Sequence, residues 1–182
     1  AEKLKDFDGI MVRSATLISA EALANAKHLK VIGRAGAGVD TIDVDAATAR
    51  GIAVMNAPDG NTLAAAEHAV SLLFSMARHV PKADAGMKAG EWPKNGLTGF
   101  ELEGKRLGVI GLGRIGATVA RKAVGIGMEV AAFDPFLPAS AAGRMSVPMK
   151  NLDELLAWAD IITLHIPRTK ETTNIIGEAQ MR

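Results

Sequence analysis

Arg106-Leu107-Gly108-Val109-Ile110-Gly111-Leu112-Gly113-Arg114-Ile115-Gly116 reads as a short apolar strand running directly into Gly-x-Gly-x-x-Gly and on into a helix. Each glycine answers its own demand. Gly111 serves the tight bend out of the strand, Gly113 lets backbone approach a pyrophosphate, and Gly116 lets the helix pack closely on the sheet. The helix N-terminus at Arg114-Ile115 adds N–H groups and a positive dipole end. The spacing is common by itself, and its surroundings narrow the reading. Ala117, Val119, Ala120 and Val124 follow a helical apolar period, Gly125 and Gly127 close it, and Met128 to Phe133 reads as the next strand. Asp134 then stands 18 residues beyond Gly116, close to the distance at which a carboxylate meets an adenosine ribose. Such a carboxylate accepts from the 2′-hydroxyl and repels a 2′-phosphate, and Pro135 and Phe136 supply no arginine to reverse that preference. The expected cofactor is therefore NAD rather than NADP.

Composition excludes several other classes. The 182 residues carry a net charge of +1 and contain no cysteine, so there are no disulfides and no thiolate zinc site. The four histidines lack ligand spacing, and no protein-held metal is expected. The balanced charge argues against a nucleic-acid partner. No apolar run approaches the roughly 20 residues of a membrane span, and Ala1-Glu2-Lys3-Leu4-Lys5-Asp6 has no signal-peptide character, so the cytoplasm is expected and a membrane partner is not.

Read in order, the chain alternates strand and helix, the pattern of βαβ units and a parallel sheet. Strands are expected at Asp8 to Val12, Leu29 to Gly33 and Ile52 to Met55; helices follow a Ser19 cap and an Asp43 or Asp45 cap. A long apolar helix runs from Thr62 to about Val80, where Pro81 interrupts it, and a further helical piece runs from Lys82 to Ala89. The aperiodic stretch Glu91-Trp92-Pro93-Lys94-Asn95-Gly96 places a boundary near Leu97 to Glu103. The expected fold is α/β: a partial flavodoxin-like parallel-sheet domain over residues 1–98, then the first half of a Rossmann domain over 99–182. Asn151 or Asp153 opens a helix to about Trp158, read as core, and Asp160 to His165 reads as a buried third strand. With only one βαβαβ half present, the strand at Arg106 is expected to show an uncovered apolar edge. That edge and the non-methionine start predict a piece of a longer protein.

Ligands of open parallel sheets bind beyond the carboxyl ends of the strands. Arg13-Ser14 and Arg34-Ala35-Gly36-Ala37-Gly38 occupy those ends on two consecutive strands. If the strands are neighbours, two guanidinium groups, a hydroxyl and the N–H groups of a glycine turn converge on one patch suited to a carboxylate or phosphate. The alternative is that the arginines pair with surface acids and the glycines only shape a turn.

Val12-Arg13-Ser14-Ala15-Thr16, Gly33-Arg34-Ala35-Gly36-Ala37-Gly38-Val39-Asp40, Asn56-Ala57-Pro58-Asp59-Gly60-Asn61-Thr62 and the glycine turn with its aspartate, in that order, resemble the D-2-hydroxyacid dehydrogenases. The resemblance implies that Arg13, Ser14, Arg34 and Gly36 bind a small anionic 2-hydroxy acid, with Ala37 beside the nicotinamide. It implies that Gly111, Gly113, Arg114, Ile115 and Gly116 cradle the pyrophosphate, Asp134 the ribose, and His165-Ile166-Pro167 the adenosine. It implies a homodimer or higher homo-oligomer built on the helix from Thr62 and the loop bearing Trp92. The basic run the family commonly carries after that tryptophan is replaced here by Pro93-Lys94-Asn95-Gly96. The family's catalytic arginine and Glu-His pair are matched by no residue of this chain; they are expected beyond Arg182, and the piece alone is expected to be inactive. Two further readings stay open within the same fold: a reductase of glyoxylate or another 2-keto acid, and a non-catalytic NAD-sensing module of corepressor type.

Glu67-His68 is not read as that pair, because adjacent helical residues point about 100° apart. His28 and His79 read as solvated.

Overall fold

The computed structural model describes residues 4–92, 95–137 and 147–181. It divides into two compact units, Ala1–Thr62 and Leu63–Arg182.

In the first unit, β1 (Gly9–Val12), β2 (Val31–Arg34) and β3 (Ala53–Asn56) form a parallel sheet in the order β1-β2-β3, with Val12 opposite Arg34 and Arg34 opposite Asn56. Helix α1 (Ala20–Ala24) is capped by Ser19, whose hydroxyl accepts from the Ala22 N–H, and α2 (Val44–Ala49) by Asp43, which accepts from the Ala46 N–H. Each cap is worth about 1 kcal/mol, enough to decide where a helix of five or six residues begins. Ile32, Val12, Leu23 and Ala47 bury one face of the sheet under these helices. Met11, Gly33 and Met55 share the opposite face in register, where Met11 is 81% exposed.

The second unit begins with α3 (Thr62–Ala77) and α4 (Val80–Lys88). His79 takes a left-handed conformation between them, and Pro81 lies in the first turn of α4, where its missing N–H costs no hydrogen bond. With the proline in its first turn, the helix starts two residues earlier than the expected Lys82. Helix α3 packs within the second unit. Its Ala66, Leu73 and Ala77 enter the core formed by Leu107, Val109, Val119 and Ala123, so the compact units part at Thr62.

The sheet of this unit holds β4 (Arg106–Ile110), β5 (Glu129–Phe133) and β6 (Ile161–Leu164), all parallel, in the order β5-β4-β6. Helix α5 (Arg114–Gly125) joins β4 to β5 and buries Val119, Ala120 and Ala123 on one face. Helix α6 (Leu152–Trp158), closed by an Asn151–Glu154 capping box, covers the other through Leu155. The order corrects two expectations. β4 shows no uncovered edge, because β6 crosses over to pair with it. β6 itself is an outer strand of the sheet among the described residues, half-buried rather than buried, with Leu164 50% exposed. Among the described residues, the outer side of β5 meets a single bridge, Ala132 to Met149.

Asp160 fixes the placement of β6. Its carboxylate accepts from the Arg106 backbone N–H at 3.0 Å, Nε at 3.1 Å and Nη2 at 2.7 Å, tying the entry of β6 to the first residue of β4. These hydrogen bonds hold the Asp160 carboxyl well below the usual carboxylate range. Trp158 is half-buried against the α6 core, with the Arg106 guanidinium 5.9 Å and the Lys150 ammonium 5.5 Å from its ring centre. Within the irregular run expected from Pro135 to Pro148, 138–146 lie outside the described residues, as do Pro93 and Lys94.

Candidate functional site

A sheet whose strand order reverses opens a crevice at the reversal, beyond the carboxyl ends of the strands. With β5 on one side of β4 and β6 on the other, the turn after Ile110 stands at that point. Gly111 holds φ at +89°, its N–H donates to the Phe133 carbonyl at 2.8 Å, and a Cβ there would lie 2.5 Å from the His165 carbonyl oxygen and 2.6 Å from Ile166 Cγ2. A Cβ on Gly116 would collide with the Gly111 carbonyl oxygen. Gly113 differs from both. A Cβ there would meet nothing within 4 Å, and Gly113 begins α5 with no side-chain cap. Two glycines are thus needed by the protein's own packing, and the third leaves open space at a helix N-terminus, the arrangement a pyrophosphate requires.

Asp134 follows directly from the end of β5, and its carboxylate reaches the same turn. Oδ2 accepts from the Leu112 N–H at 2.8 Å and Oδ1 from the Phe136 N–H at 3.0 Å. Each oxygen keeps lone-pair capacity for a ribose hydroxyl. His165 donates its backbone N–H to the Ile110 carbonyl at 2.8 Å, so His165 and Ile166 line the turn from the β6 side while Asp134 lines it from the β5 side. The structure therefore gathers Gly111, Gly113, Arg114, Ile115, Gly116, Asp134, His165 and Ile166 around one strand end, with Pro167 next in the chain. These residues fit an adenine dinucleotide.

The His165 ring is half-buried, and Nε2 lies 2.9 Å from Thr163 Oγ1. Burial pushes its proton affinity below that of an ordinary histidine. The folded state then binds a proton less readily than the unfolded one, so stability is full above about pH 6.5 and falls as the pH drops below it. Urea melts at pH 7.5 and pH 5.5 are expected to show a larger acid loss in the wild type than in His165→Gln. Equal losses would place the ring in water.

In the first unit, the register puts Arg13-Ser14, Arg34 to Gly38, and Asn56 on one edge of the sheet, beyond three paired strands. Neither arginine is buried away from that edge: Arg13 is exposed and Arg34 half-buried. Arg34 donates Nη1 to the Ala35 carbonyl at 2.9 Å and folds over its own turn, where a Cβ on Gly36 would strike the guanidinium. Its Nε is buried with no acceptor among the described residues. Asn56, read in the sequence only as turn chemistry, donates Nδ2 to the Ala37 carbonyl at 2.7 Å. Asparagine at a strand end was the signal, and it becomes informative only once β3 lies beside β2. Glu67 turns to Lys122 at 3.0 Å and His68 is exposed. No group of three or more metal-ligating side chains occurs among the described residues.

Residues 70–182 match the NAD binding domain of the D-isomer specific 2-hydroxyacid dehydrogenases. The chain belongs to this family. NAD is accordingly the cofactor of this domain. Among curated relatives of the D-isomer specific 2-hydroxyacid dehydrogenases, a D-3-phosphoglycerate dehydrogenase of Archaeoglobus fulgidus is 50% identical over 96% of this chain, which covers 33% of the relative. One of Methanocaldococcus jannaschii is 48% identical over 99% of the chain, covering 34% of the relative. The chain thus spans about a third of the length of the curated relatives it matches. Among solved structures, a D-lactate dehydrogenase of Aquifex aeolicus complexed with NAD and lactic acid superposes with a TM-score of 0.87 at 30% identity, covering 98% of this chain and 54% of that one. No helix among the described residues is long and apolar enough to cross a membrane.

Proposed function

We propose that this chain is the substrate-clamping and NAD-holding part of an enzyme that oxidises 3-phosphoglycerate at C2 to 3-phosphohydroxypyruvate, the step that opens serine biosynthesis. The observation that carries the substrate is the cationic edge of the first unit. Arg13, Ser14, Arg34 and the Gly36 turn stand at the ends of paired strands, with more cationic and N–H donors than one carboxylate needs. Lactate or glyoxylate carries one anionic group; 3-phosphoglycerate carries two, and charge-assisted hydrogen bonds contribute about 1.5 to 3 kcal/mol each. The residues 1–98 and 99–182 are the substrate and dinucleotide domains in this reading, with Ala37 on the nicotinamide side.

When bound, the nicotinamide supplies the hydride acceptor. This chain's residues do the positioning: the arginines and turn N–H groups hold the acid, Gly113 admits the pyrophosphate, and Asp134 takes the ribose. The face of α3 that leaves Leu72 and Met76 exposed is the surface we assign to contact between copies, together with the loop bearing the exposed Trp92. Isothermal titration of the chain with D-3-phosphoglycerate and D-lactate tests the assignment. Arg13→Gln or Arg34→Gln is expected to weaken 3-phosphoglycerate binding about tenfold or more and D-lactate binding less. Equal affinity for the two acids in the wild type would overturn the choice of substrate.

A further inference from the structure

The turn after β2 uses its backbone groups unevenly. The Gly36 carbonyl accepts from the Ala57 N–H at 3.0 Å, and the Ala37 carbonyl accepts from Asn56 Nδ2 at 2.7 Å. Two successive carbonyls are thereby drawn toward the end of β3. In a trans peptide the N–H points opposite to the C=O of the same plane. The two hydrogen bonds therefore aim the Ala37 and Gly38 N–H groups away from β3, and neither finds an acceptor among the described residues. One carbonyl is held by backbone and survives any change of side chain. The other depends on a single carboxamide.

We infer that Asn56 is the positioning residue of this turn, holding the Ala37 peptide plane so that a pair of adjacent N–H donors faces the carboxylate of the bound acid beside Arg13 and Arg34. Asn56 acts through the loop and is not itself a ligand. Glutamate is too long for this span and aspartate cannot donate: a carboxylate placed 2.7 Å from a carbonyl oxygen repels it and turns the plane. The inference rests on the substrate reading above, so its test has one arm that needs no substrate.

The experiment uses the ¹⁵N-labelled 182-residue chain as wild type, Asn56→Ala and Asn56→Asp. Without ligand, the amide resonance of Gly38, which shares its peptide plane with the Ala37 carbonyl, is expected to move in both variants while Ala57 keeps its protection from exchange and Tm stays nearly constant. An unmoved Gly38 resonance overturns the inference. With D-3-phosphoglycerate, affinity is expected to fall in the order wild type, Asn56→Ala, Asn56→Asp, the last about tenfold below the first. A merely structural asparagine would lower Tm and leave the affinity of the folded chain unchanged, and equal affinities in the three proteins likewise overturn the inference. If the wild type binds no 3-phosphoglycerate, the substrate reading fails, and Asn56 is judged on the Gly38 resonance.

Discussion

Alanine at Gly111 is expected to destabilise the second unit by about 3 kcal/mol, whereas alanine at Gly113 is expected to cost it only about half a kcal/mol and to weaken NAD binding instead. Two terms act at Gly111. A left-handed conformation costs a residue with a Cβ roughly 1 to 2 kcal/mol, and overpacking against the His165 carbonyl adds about 1 to 3. The obstacle is backbone of the neighbouring strand end, which cannot rotate aside as a side chain tip can. A loss near 3 kcal/mol corresponds to a fall in Tm of roughly 10 °C for a chain of this size. Gly113 has extended dihedrals that alanine adopts, and a Cβ there meets open space; only the modest preference of a helix N-cap for glycine over alanine is lost. In the proposed reading the same methyl group stands where the pyrophosphate approaches the backbone, and the NAD dissociation constant is expected to rise at least tenfold, or about 1.4 kcal/mol. Thermal melts and NADH fluorescence titrations on the two variants read both quantities. Tight NAD binding by Gly113→Ala would mean that the dinucleotide does not touch this turn.

The contrast between these two glycines marks what is legible in the residues alone. Strand, turn and helix from Arg106 to Gly125, and an acid at the end of the next strand, are local patterns, and local sterics enforce them. Which glycine serves the fold and which the ligand is not local, since it depends on His165 and Ile166 arriving from a strand more than fifty residues away. The side of β4 on which β6 would lie is equally hidden. A short apolar strand reads the same on either side, and the tie between Arg106 and Asp160 appears only when the two are brought together. Helix α3 misleads in a related way: its apolar residues surround the axis, with Ala66 and Leu73 inward and Leu72 and Phe74 exposed, so periodicity could not say which core it joins. Arg13 and Arg34 were visible as strand-end cations, but that they follow neighbouring strands needed the register that pairs Val12 with Arg34. Asn56 needed that register twice over.

Asp134 joins two roles that substitution can separate. Its carboxylate holds the Leu112 N–H, shaping the turn, and is the group we propose accepts from the ribose. Asp134→Ala removes both, leaving the Leu112 N–H without its acceptor, and NAD affinity is expected to fall about ten- to a hundredfold, the range of one or two charge-assisted hydrogen bonds. Asp134→Asn keeps an oxygen for Leu112 and another hydrogen bond for the ribose while removing the charge, so its loss of NAD affinity is expected to be only severalfold. For NADP the order inverts. The wild-type carboxylate opposes a 2′-phosphate by direct repulsion at short range, where screening is weak, and either substitution is expected to bring NADP binding up as NAD binding comes down. The preference for NAD should therefore shrink in both variants, by about a hundredfold in Asp134→Ala, as read by fluorescence titration with NADH and NADPH side by side. Were Asp134→Asn to retain the full preference, discrimination would have to come from the shape of the pocket, and the carboxylate would be left with the turn alone.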